Sequence, residues 1–393
     1  MAAVSMAQTV SPVTSGLYTP NKLVATGNLL IVSEAGTRLP NTGRISIVDQ
    51  LTGSRRTLVS GLPSAVSFLG GPAGDPDGPS GLALDGSKLY VTIGIGDAVI
   101  PGPGQGLETP NPGTPASPLF DSLLEITLPP SLASTDEYNM TAADHQTLAA
   151  TGSVSLPGIY GSPLSIRLIA NLPDYRPAPV PGSRGNSKAS HIYGVETFNG
   201  RAYVVDSGWN QIDSIVIATG SSSVLAEFPN RPNPLFPSLG GPTIEAVPDA
   251  VHRAGNKLIV PLLTGFPFVP GLAEVWAIDL TDGTSQRVIS GLTSAIDVLQ
   301  VQTPNDSRAG CGDRANPGFP CLGDHSSYFT LEFSTSMLGG APGRLRFYET
   351  PSSIPVDVAA PLITPTSMAR NGTLGRIFIT NSGPGTITSV SDH

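Results

Sequence analysis

The stretch TPNKLVATGNLLIVSE, residues 19–34, decides the fold because its pattern returns about six times along the chain. Each copy runs from a small residue or Pro through an apolar pair and a Gly turn to an apolar strand that ends in a polar residue. Repeats of this length predict an array or a propeller. The other copies begin at Gly78, Tyr193, Val247, Ala295 and Thr364.

Two further predicted strands follow each copy. After the first copy they lie at residues 44–48 and 56–59, and after the fourth copy the turn Asp282-Gly283 separates a similar pair. Period-2 alternation with Asp-Gly turns is typical of β-hairpins. Four strands in each of six repeats predict an all-β protein, a six-bladed β-propeller. The last copy stops one strand short, so residues 9–17 are predicted to supply that strand and close the ring.

The composition agrees with one large β-domain. Only 13% of the 393 residues are charged, against about 25% in an average globular chain, and Gly and Pro are abundant turn formers. We expect residues 1–8 to be a signal-peptide remnant or a disordered start and residues 9–393 to form a single propeller. Its predicted insertions are residues 97–118, 129–161 and 301–326, and the one predicted helix covers residues 141–150 of the second insertion.

Charge and hydropathy exclude two classes of partner. The net charge is −9 and no Lys/Arg cluster is present to neutralise phosphates, so no nucleic-acid partner is expected. No run of 18 apolar residues occurs, so no transmembrane segment is predicted. We expect a monomer.

The cysteines and the N-terminus predict export. Cys311 and Cys321 enclose a Gly/Pro-rich loop without a second Cys pair or a flanking His that would indicate zinc. A disulfide between them fits an oxidising compartment, and the alternative is two unrelated thiols. Ser5-Met6-Ala7 has the form of a signal-peptidase site, although no apolar segment precedes it. We therefore expect a secreted or periplasmic protein, with an ordinary disordered start as the alternative.

Several motifs resemble the ScyD/ScyE family. The most specific is Thr264-Gly265-Phe266-Pro267-Phe268 with Val275-Trp276 after it, and the other matches are Tyr193-Gly194-Val195, Val205-Asp206-Ser207-Gly208-Trp209-Asn210 and Leu331-Glu332-Phe333. The resemblance covers nearly the whole chain and implies an exported six-bladed propeller without a secure biochemical activity. Leu262 departs from the Glu expected there, and residues 177–190 diverge from the family pattern.

The residue that ends the second strand of each repeat, polar in four of the six, is predicted to face the axial channel. The six equivalent positions are Glu34, Ile93, Asp206, Leu262, Glu332 and Asn381. Converging carboxylates repel one another unless a cation or protons compensate, and all-oxygen ligands suit Ca²⁺ or Mg²⁺. The sequence thus offers Glu34, Asp206, Glu332 and Asn381 as a metal set. The alternative is that these side chains bond the backbone amides of neighbouring strands.

The start of each innermost strand adds polar residues near the same mouth, at Asn21, Ser80, Tyr193, Asp249, Asp297 and Thr366. His191, Asp249 and Asp297 are the candidates for acid–base catalysis, although a lone His is more often structural. The aromatic residues Tyr193, Trp209, Phe266 and Phe268 are candidate ligand contacts, with packing between blades as the alternative.

Two classes of function follow. The first is a propeller that binds a small molecule or a partner protein at its channel face. The second is a metal-assisted lactonase, lyase or ester hydrolase with an acidic site at the channel mouth. Apolar Ile93 and Leu262 within the ring of strand ends favour binding, and the fold alone does not decide.

Overall fold

A computed structural model describes residues 8–103, 106–132, 136–158, 161, 163–177, 187–301 and 326–391. Six antiparallel sheets, each with at least four strands, form the blades of a propeller. This confirms the predicted all-β, six-bladed architecture. No helix among the described residues is long and apolar enough to cross a membrane. Both Cys311 and Cys321 lie outside the described residues. So does the predicted insertion at residues 301–326, apart from its first and last residue.

The chain begins with one separate strand and then builds blade 1 from four consecutive strands. These are β1 (Ser11–Ser15), β2 (Pro20–Thr26), β3 (Leu29–Glu34), β4 (Gly43–Asp49) and β5 (Arg55–Leu62). The inner strands are buried between blades and therefore read as continuous apolar runs, whereas outer β5 is only partly buried.

Blade 2 carries the longest excursions. Its region contains β6 (Ala65–Ser67), β7 (Asp75–Asp77), β8 (Pro79–Asp85), β9 (Lys88–Ile93), β10 (Val99–Ile100), β11 (Thr109–Pro110), β12 (Ser122–Thr127), β13 (Tyr138–Asn139), α1 (Ala142–Thr151), β14 (Ser153–Leu156) and β15 (Leu164–Asn171). The blade itself has the order β14-β15-β12-β9-β8. The strand β13 instead pairs in parallel with β5 of blade 1. The second insertion therefore links the outer edges of the first two blades.

The helix in this insertion forms where the sequence predicts it. Thr141 caps α1 by accepting a hydrogen bond from the Asp144 backbone N–H, and the Asp144 side chain accepts from Thr141 in return. Gly152 ends the helix in the left-handed conformation. Inside the helix, His145 bonds the carbonyl of Gly61 at 2.9 Å, which attaches α1 to blade 1.

The remaining four blades follow in chain order. Blade 3 has β16 (Ile192–Phe198), β17 (Arg201–Asp206), β18 (Gln211–Val216) and β19 (Ser222–Glu227). A short hairpin, β20 (Arg231–Pro232) and β21 (Thr243–Ile244), precedes blade 4, which has β22 (His252–Ala254), β23 (Lys257–Leu262), β24 (Ala273–Asp279) and β25 (Ser285–Leu292). Blades 5 and 6 have β26 (Ala295–Val301), β27 (Ser327–Glu332), β28 (Gly343–Tyr348), β29 (Val356–Leu362), β30 (Pro365–Asn371), β31 (Arg376–Asn381) and β32 (Thr386–Ser391).

The ring closes through the N-terminal strand, as predicted. Strand β1 pairs antiparallel with β32 and becomes the outermost strand of blade 6, with Ser11 opposite Ser389 and Ser15 opposite Thr386. The last blade thereby gains its fourth strand from the other end of the chain, and the edge of β32 is covered.

All six blades share one register at the channel mouth. The first residue of the innermost strand, or its equivalent, lies opposite the last residue of the second strand in the pairs Pro20–Glu34, Pro79–Ile93, Ile192–Asp206, Pro248–Leu262, Ala295–Glu332 and Pro365–Asn381. The repeated sequence phrase is therefore one repeated local geometry.

Hydroxyl groups join neighbouring blades around the channel. Ser33 donates to the Ser80 carbonyl, Thr92 to the Tyr193 carbonyl and Ser207 to the Pro248 carbonyl, each at 2.5 Å. These bonds satisfy buried carbonyls that the sheets themselves leave unpaired.

Two sets of loops lie on the same side of the ring because the strands alternate in direction. They are the loops before each innermost strand and the loops between the second and third strands. We call this side the pocket face.

A pocket at the channel mouth

The pocket face contains a cavity of about 920 Å³ beside the channel mouth. Its apolar wall comes from loops of blades 1, 2 and 4, and its polar lining comes mainly from the segment before blade 3. The apolar residues include Phe68, Leu69, Pro101, Val247, Phe266 and Phe268, and the polar ones include Glu108, Ser190, His191, Ser207, Glu245 and Thr264. A largely apolar cavity with a few convergent polar groups is the usual form of a small-molecule site.

The loop after β23 supplies two aromatic walls of the cavity. The rings of Phe266 and Phe268 meet edge to face, with centroids 6.1 Å apart and an interplanar angle of 90°. Backbone N–H groups of Thr264 and Gly265 donate to the carbonyls of Ala246 and Glu245, both at 3.0 Å. The loop is thus fastened to the segment that leads into blade 4.

Thr264 is conformationally unusual. Its φ of 79° lies in the left-handed region, which a β-branched residue rarely adopts. Its side-chain oxygen is buried, and no described residue forms a hydrogen bond with it. Strained residues persist where the surroundings hold them, often at binding sites. Thr264 is therefore a strained residue beside the cavity, with a buried hydroxyl that is not accessible from it.

The carboxylates of Glu245 and Glu108 bind backbone N–H groups of the segment that forms the polar lining. The Ser187 N–H donates to Oε1 of Glu245 at 2.9 Å, and the Lys188 N–H donates to Oε2 of Glu108 at 3.1 Å. Loops of blades 2 and 4 thereby hold the segment that carries His191.

His191 lies at the floor of the cavity with its side chain 36% exposed. Its Nε2 is 3.4 Å from both carboxylate oxygens of Asp77. Asp77 also accepts a 2.9 Å bond from the Gly96 N–H. A Cβ at Gly94 would lie 2.2 Å from Asp77 Oδ1, so only Gly permits this carboxylate position.

The electrostatics of this pair favour a charged imidazole. Burial alone would lower the pKa of His191, but the charge and hydrogen bond of Asp77, with the charges of Asp121 and Asp206, raise it to about 9. Burial likewise acts to raise the pKa of Asp77, yet His191 holds it below its ordinary value. At neutral pH the His191 side chain that lines the cavity is therefore charged and paired with Asp77, which is not part of the lining.

Asp249 and Tyr193 lie beside this ion pair. Burial raises the pKa of Asp249 to about 8, and no described residue forms a hydrogen bond with its buried Oδ2. Burial and the surrounding carboxylates also raise the pKa of Tyr193. The Tyr193 ring packs edge-on against His191, with centroids 6.0 Å apart. Both groups are therefore neutral at neutral pH.

Asp297 belongs to a separate ion group on the channel axis. Its carboxylate contacts Lys22 Nζ at 2.9 Å and His252 Nε2 at 2.7 Å, and it accepts from the Met368 N–H at 2.9 Å. Burial acts to raise the pKa of Asp297, but Lys22 and His252 hold it well below the ordinary value. Blades 1, 4, 5 and 6 thus meet at one carboxylate.

The strand-end residues proposed as metal ligands are each bonded within the protein. Glu34 accepts from the Tyr18 N–H and the Ser46 hydroxyl, and Glu332 accepts from the Thr293 N–H and Arg344. Asp206 accepts from Ser190, the His191 N–H and the Trp209 N–H, whereas Asn381 donates to Ile379 and Thr388.

The described residues contain no group of three or more His, Cys, Asp or Glu side chains that could hold a metal ion. The structure therefore does not bring Glu34, Asp206, Glu332 and Asn381 together as a cluster. Their partners match the alternative raised from the sequence, in which strand-end side chains bond nearby backbone.

The aromatic candidates separate into two groups. Phe266 and Phe268 line the cavity, and Tyr193 packs under His191. Trp209 is not part of the lining. It lies under the Arg176 guanidinium at 3.8 Å, and its Nε1 donates to the Lys188 carbonyl at 3.2 Å.

Sequence reasoning missed Phe68, Asp77 and Lys22. Asp77 is the last residue of the short strand β7, which lies just before the second copy of the repeat and outside its pattern. Phe68 lies in a Gly/Pro-rich loop with no repeat pattern. Lys22 follows Asn21 in the repeat, and the buried position of its charge becomes visible only when the ring is assembled.

Comparisons with known proteins support the fold only. No protein-family model matches the chain and no curated protein matches it. An auxiliary nutrient binding protein from Bacteroides thetaiotaomicron is similar in structure at 10% identity and a TM-score of 0.50, over 97% of this chain and 76% of that one. The β-propeller domain of Cps50 from Myceliophteria thermophila has 10% identity and a TM-score of 0.42, over 98% and 100%. The first of these likenesses agrees with the propeller fold.

Proposed function

We propose that this protein is an exported β-propeller of the ScyD/ScyE type that binds an amphipathic small molecule in the cavity at its channel mouth. The observation that carries the proposal is the cavity of about 920 Å³, whose lining joins an aromatic wall to His191, the imidazole of the His191–Asp77 ion pair. The structural similarity to a nutrient binding protein agrees with a binding role but does not identify the ligand.

The wall favours a flat apolar body. Phe68, Phe266 and Phe268 line the cavity. Aromatic contacts prefer the offset or edge-on geometry that Phe266 and Phe268 already adopt. An aromatic ring system of about two fused rings is well within the size that cavities of this volume accept.

The floor favours an acidic or hydrogen-bonding head. A protonated imidazole donates from both ring nitrogens, and Nε2 of His191 faces Asp77. The Nδ1–H is then the donor left for a ligand. The wall thus requires an apolar aromatic body, and His191 requires a hydrogen-bond acceptor. A carboxylate on an aromatic body satisfies both requirements.

The experiment is calorimetric titration with 2-naphthoate. We expect the Phe268→Ala variant to bind about tenfold more weakly than the wild-type protein, because the wall loses an aromatic contact. Phe236→Ala is the matched control, since Phe236 is exposed on the same face and is not in the lining. Equal losses in both variants, or no binding by the wild-type protein, would contradict the proposal.

The export part of the proposal rests on the two cysteines and the N-terminal sequence. It is tested by alkylating the protein purified from its native source. A disulfide between Cys311 and Cys321 prevents labelling until a reductant is added, and two thiols that label at once would argue against export.

A further inference from the structure

The exposed apolar side chains of this protein are concentrated on one side of the ring. Among the described residues, fourteen large apolar or Tyr side chains are exposed. Ten of them lie in loops of the pocket face. The most exposed of these ten are Leu39 at 67%, Leu338 at 59%, Ile363 at 55% and Phe236 at 52%. Single exposed apolar residues are ordinary, but a one-sided set of this size marks an interaction surface.

The same loops are almost without exposed charge. Among their described residues only Arg38 and Asp75 are exposed charged side chains. Arg38 is already engaged, since its guanidinium donates to the carbonyls of Gly74 and Ala73 at 2.8 and 2.7 Å. The described part of this face therefore offers no cationic patch to an anionic partner.

These exposed apolar side chains, which we call the apolar tips, are contiguous with the wall of the cavity. Phe68 and Phe266 are 42% and 48% exposed and line the cavity at the same time. The loop that carries Leu235, Phe236 and Leu239 packs against Phe266, since a Cβ at Gly240 would lie 3.5 Å from that ring. The exposed surface and the pocket are thus one apolar region.

We propose that the pocket face docks onto the interface of a neutral, zwitterionic lipid bilayer. The tips come from eight separate loops around a flat ring. A rigid protein partner would need a hollow to match each tip, whereas the fluid acyl boundary accepts separate Leu, Ile and Phe side chains without a matched shape. Among the described residues of this face Arg38 is the one exposed cation, and with the net charge of −9 this selects a zwitterionic over an anionic surface.

This surface does not depend on the identity of the pocket ligand. Together, the two proposals give an amphipathic ligand a path between the bilayer and the cavity, because the cavity opens in the face that touches the lipid. The two are tested separately, since vesicle binding needs no pocket ligand and naphthoate binding needs no vesicle.

The test is co-sedimentation of the purified protein with phosphatidylcholine vesicles. We expect the wild-type protein to bind, with little change between low and high salt, and to bind less well when anionic phosphatidylglycerol is added. The double variant Leu39→Ser/Leu338→Ser should lower the partition coefficient at least about tenfold, because two side chains lose their apolar burial.

The matched control is Leu51→Ser/Ile354→Ser. These residues are 62% and 93% exposed and lie in turns on the opposite side of the ring, so this variant should partition like the wild-type protein. Equal losses in the two double variants, or no sedimentation with the vesicles, would overturn the proposal. Concentration-dependent self-association without lipid that the Leu39→Ser/Leu338→Ser change abolishes would also overturn it, because the face would then cover a second copy of the chain.

Discussion

His191 gives the proposed site a pH dependence of known sign. Its pKa is raised to about 9, so the imidazole is charged at neutral pH and loses its proton as the pH rises through that value. The pKa of neighbouring Asp249 is about 8, so this carboxyl gains a negative charge in the same range. Both changes disfavour an anionic ligand.

We therefore expect the affinity for 2-naphthoate to be steady around neutral pH and to fall between about pH 8 and 9. At neutral pH, His191→Gln should weaken 2-naphthoate binding about tenfold, as expected for a lost charge-assisted hydrogen bond, and should leave 2-naphthalenemethanol almost unaffected. Titration calorimetry of both ligands provides the comparison. A variant that loses both ligands equally would show that His191 acts only through packing.

The axial ion group makes a second residue-level prediction. Removing Lys22 takes away the ammonium that pairs with the buried Asp297 and leaves its bonds to His252 and to backbone N–H groups. Breaking a buried pair from one side is strongly destabilising. We expect Lys22→Met to lower the free energy of unfolding by about 3 kcal/mol or more. Lys88→Met is the control, because Lys88 pairs with Glu125 while its side chain is 40% exposed, and such a pair contributes about 1 kcal/mol or less.

Urea denaturation at neutral pH measures both variants. Similar losses in Lys22→Met and Lys88→Met would contradict the structural role given to Asp297. The pKa of Asp297 is lowered in the folded protein, so its contribution is present above the ordinary carboxyl pKa and is lost as the pH falls towards the folded value. The difference between the wild-type protein and Lys22→Met should accordingly shrink in strong acid.

Single residues show where prediction from the sequence reaches its limit. The sequence correctly predicts that the strand-end positions from Glu34 to Asn381 are equivalent, because the repeat itself defines the register. The partners of those residues are not predictable in this way. Asp77 and His191 are separated by 114 positions and come from segments outside the repeat, so only the closed ring brings them into contact.

At the scale of elements, strand β1 closes the ring by pairing with β32. Without it, β32 becomes an exposed edge strand, and blade 6 loses the pairing that joins the two ends of the chain. We expect deletion of residues 8–15 to lower the thermal midpoint by several degrees and to cause aggregation, measured by circular dichroism and light scattering. A synthetic peptide of residues 8–17 should restore the midpoint, and an unchanged midpoint in the deletion variant would contradict this role.

The predictability of elements follows the range of their interactions. The helix α1 could be predicted because its cap and its stop are local to residues 141–152. The attachment of β13 to blade 1 could not, since a two-residue strand has no sequence pattern and forms only where the edge of β5 is available. The loops that form the cavity could not be predicted either, because their shape depends on contacts between blades.

At the scale of the molecule, the two sides of the ring have different chemistry. The pocket face combines the cavity, most of the exposed apolar side chains and very few exposed charges among the described residues. The repeat places equivalent strand ends on this side, and the loops between them give it its character. Ligand binding and lipid docking are both assigned to this face for that reason.

The most direct test of ligand binding is a crystal structure of the protein with 2-naphthoate. The predicted result is a naphthalene ring held between Phe68, Phe266 and Phe268, with its carboxylate within hydrogen-bond distance of Nδ1 of His191. Electron density for the ligand only at other sites, or an empty cavity at a ligand concentration that saturates the protein in solution, would contradict the proposed function.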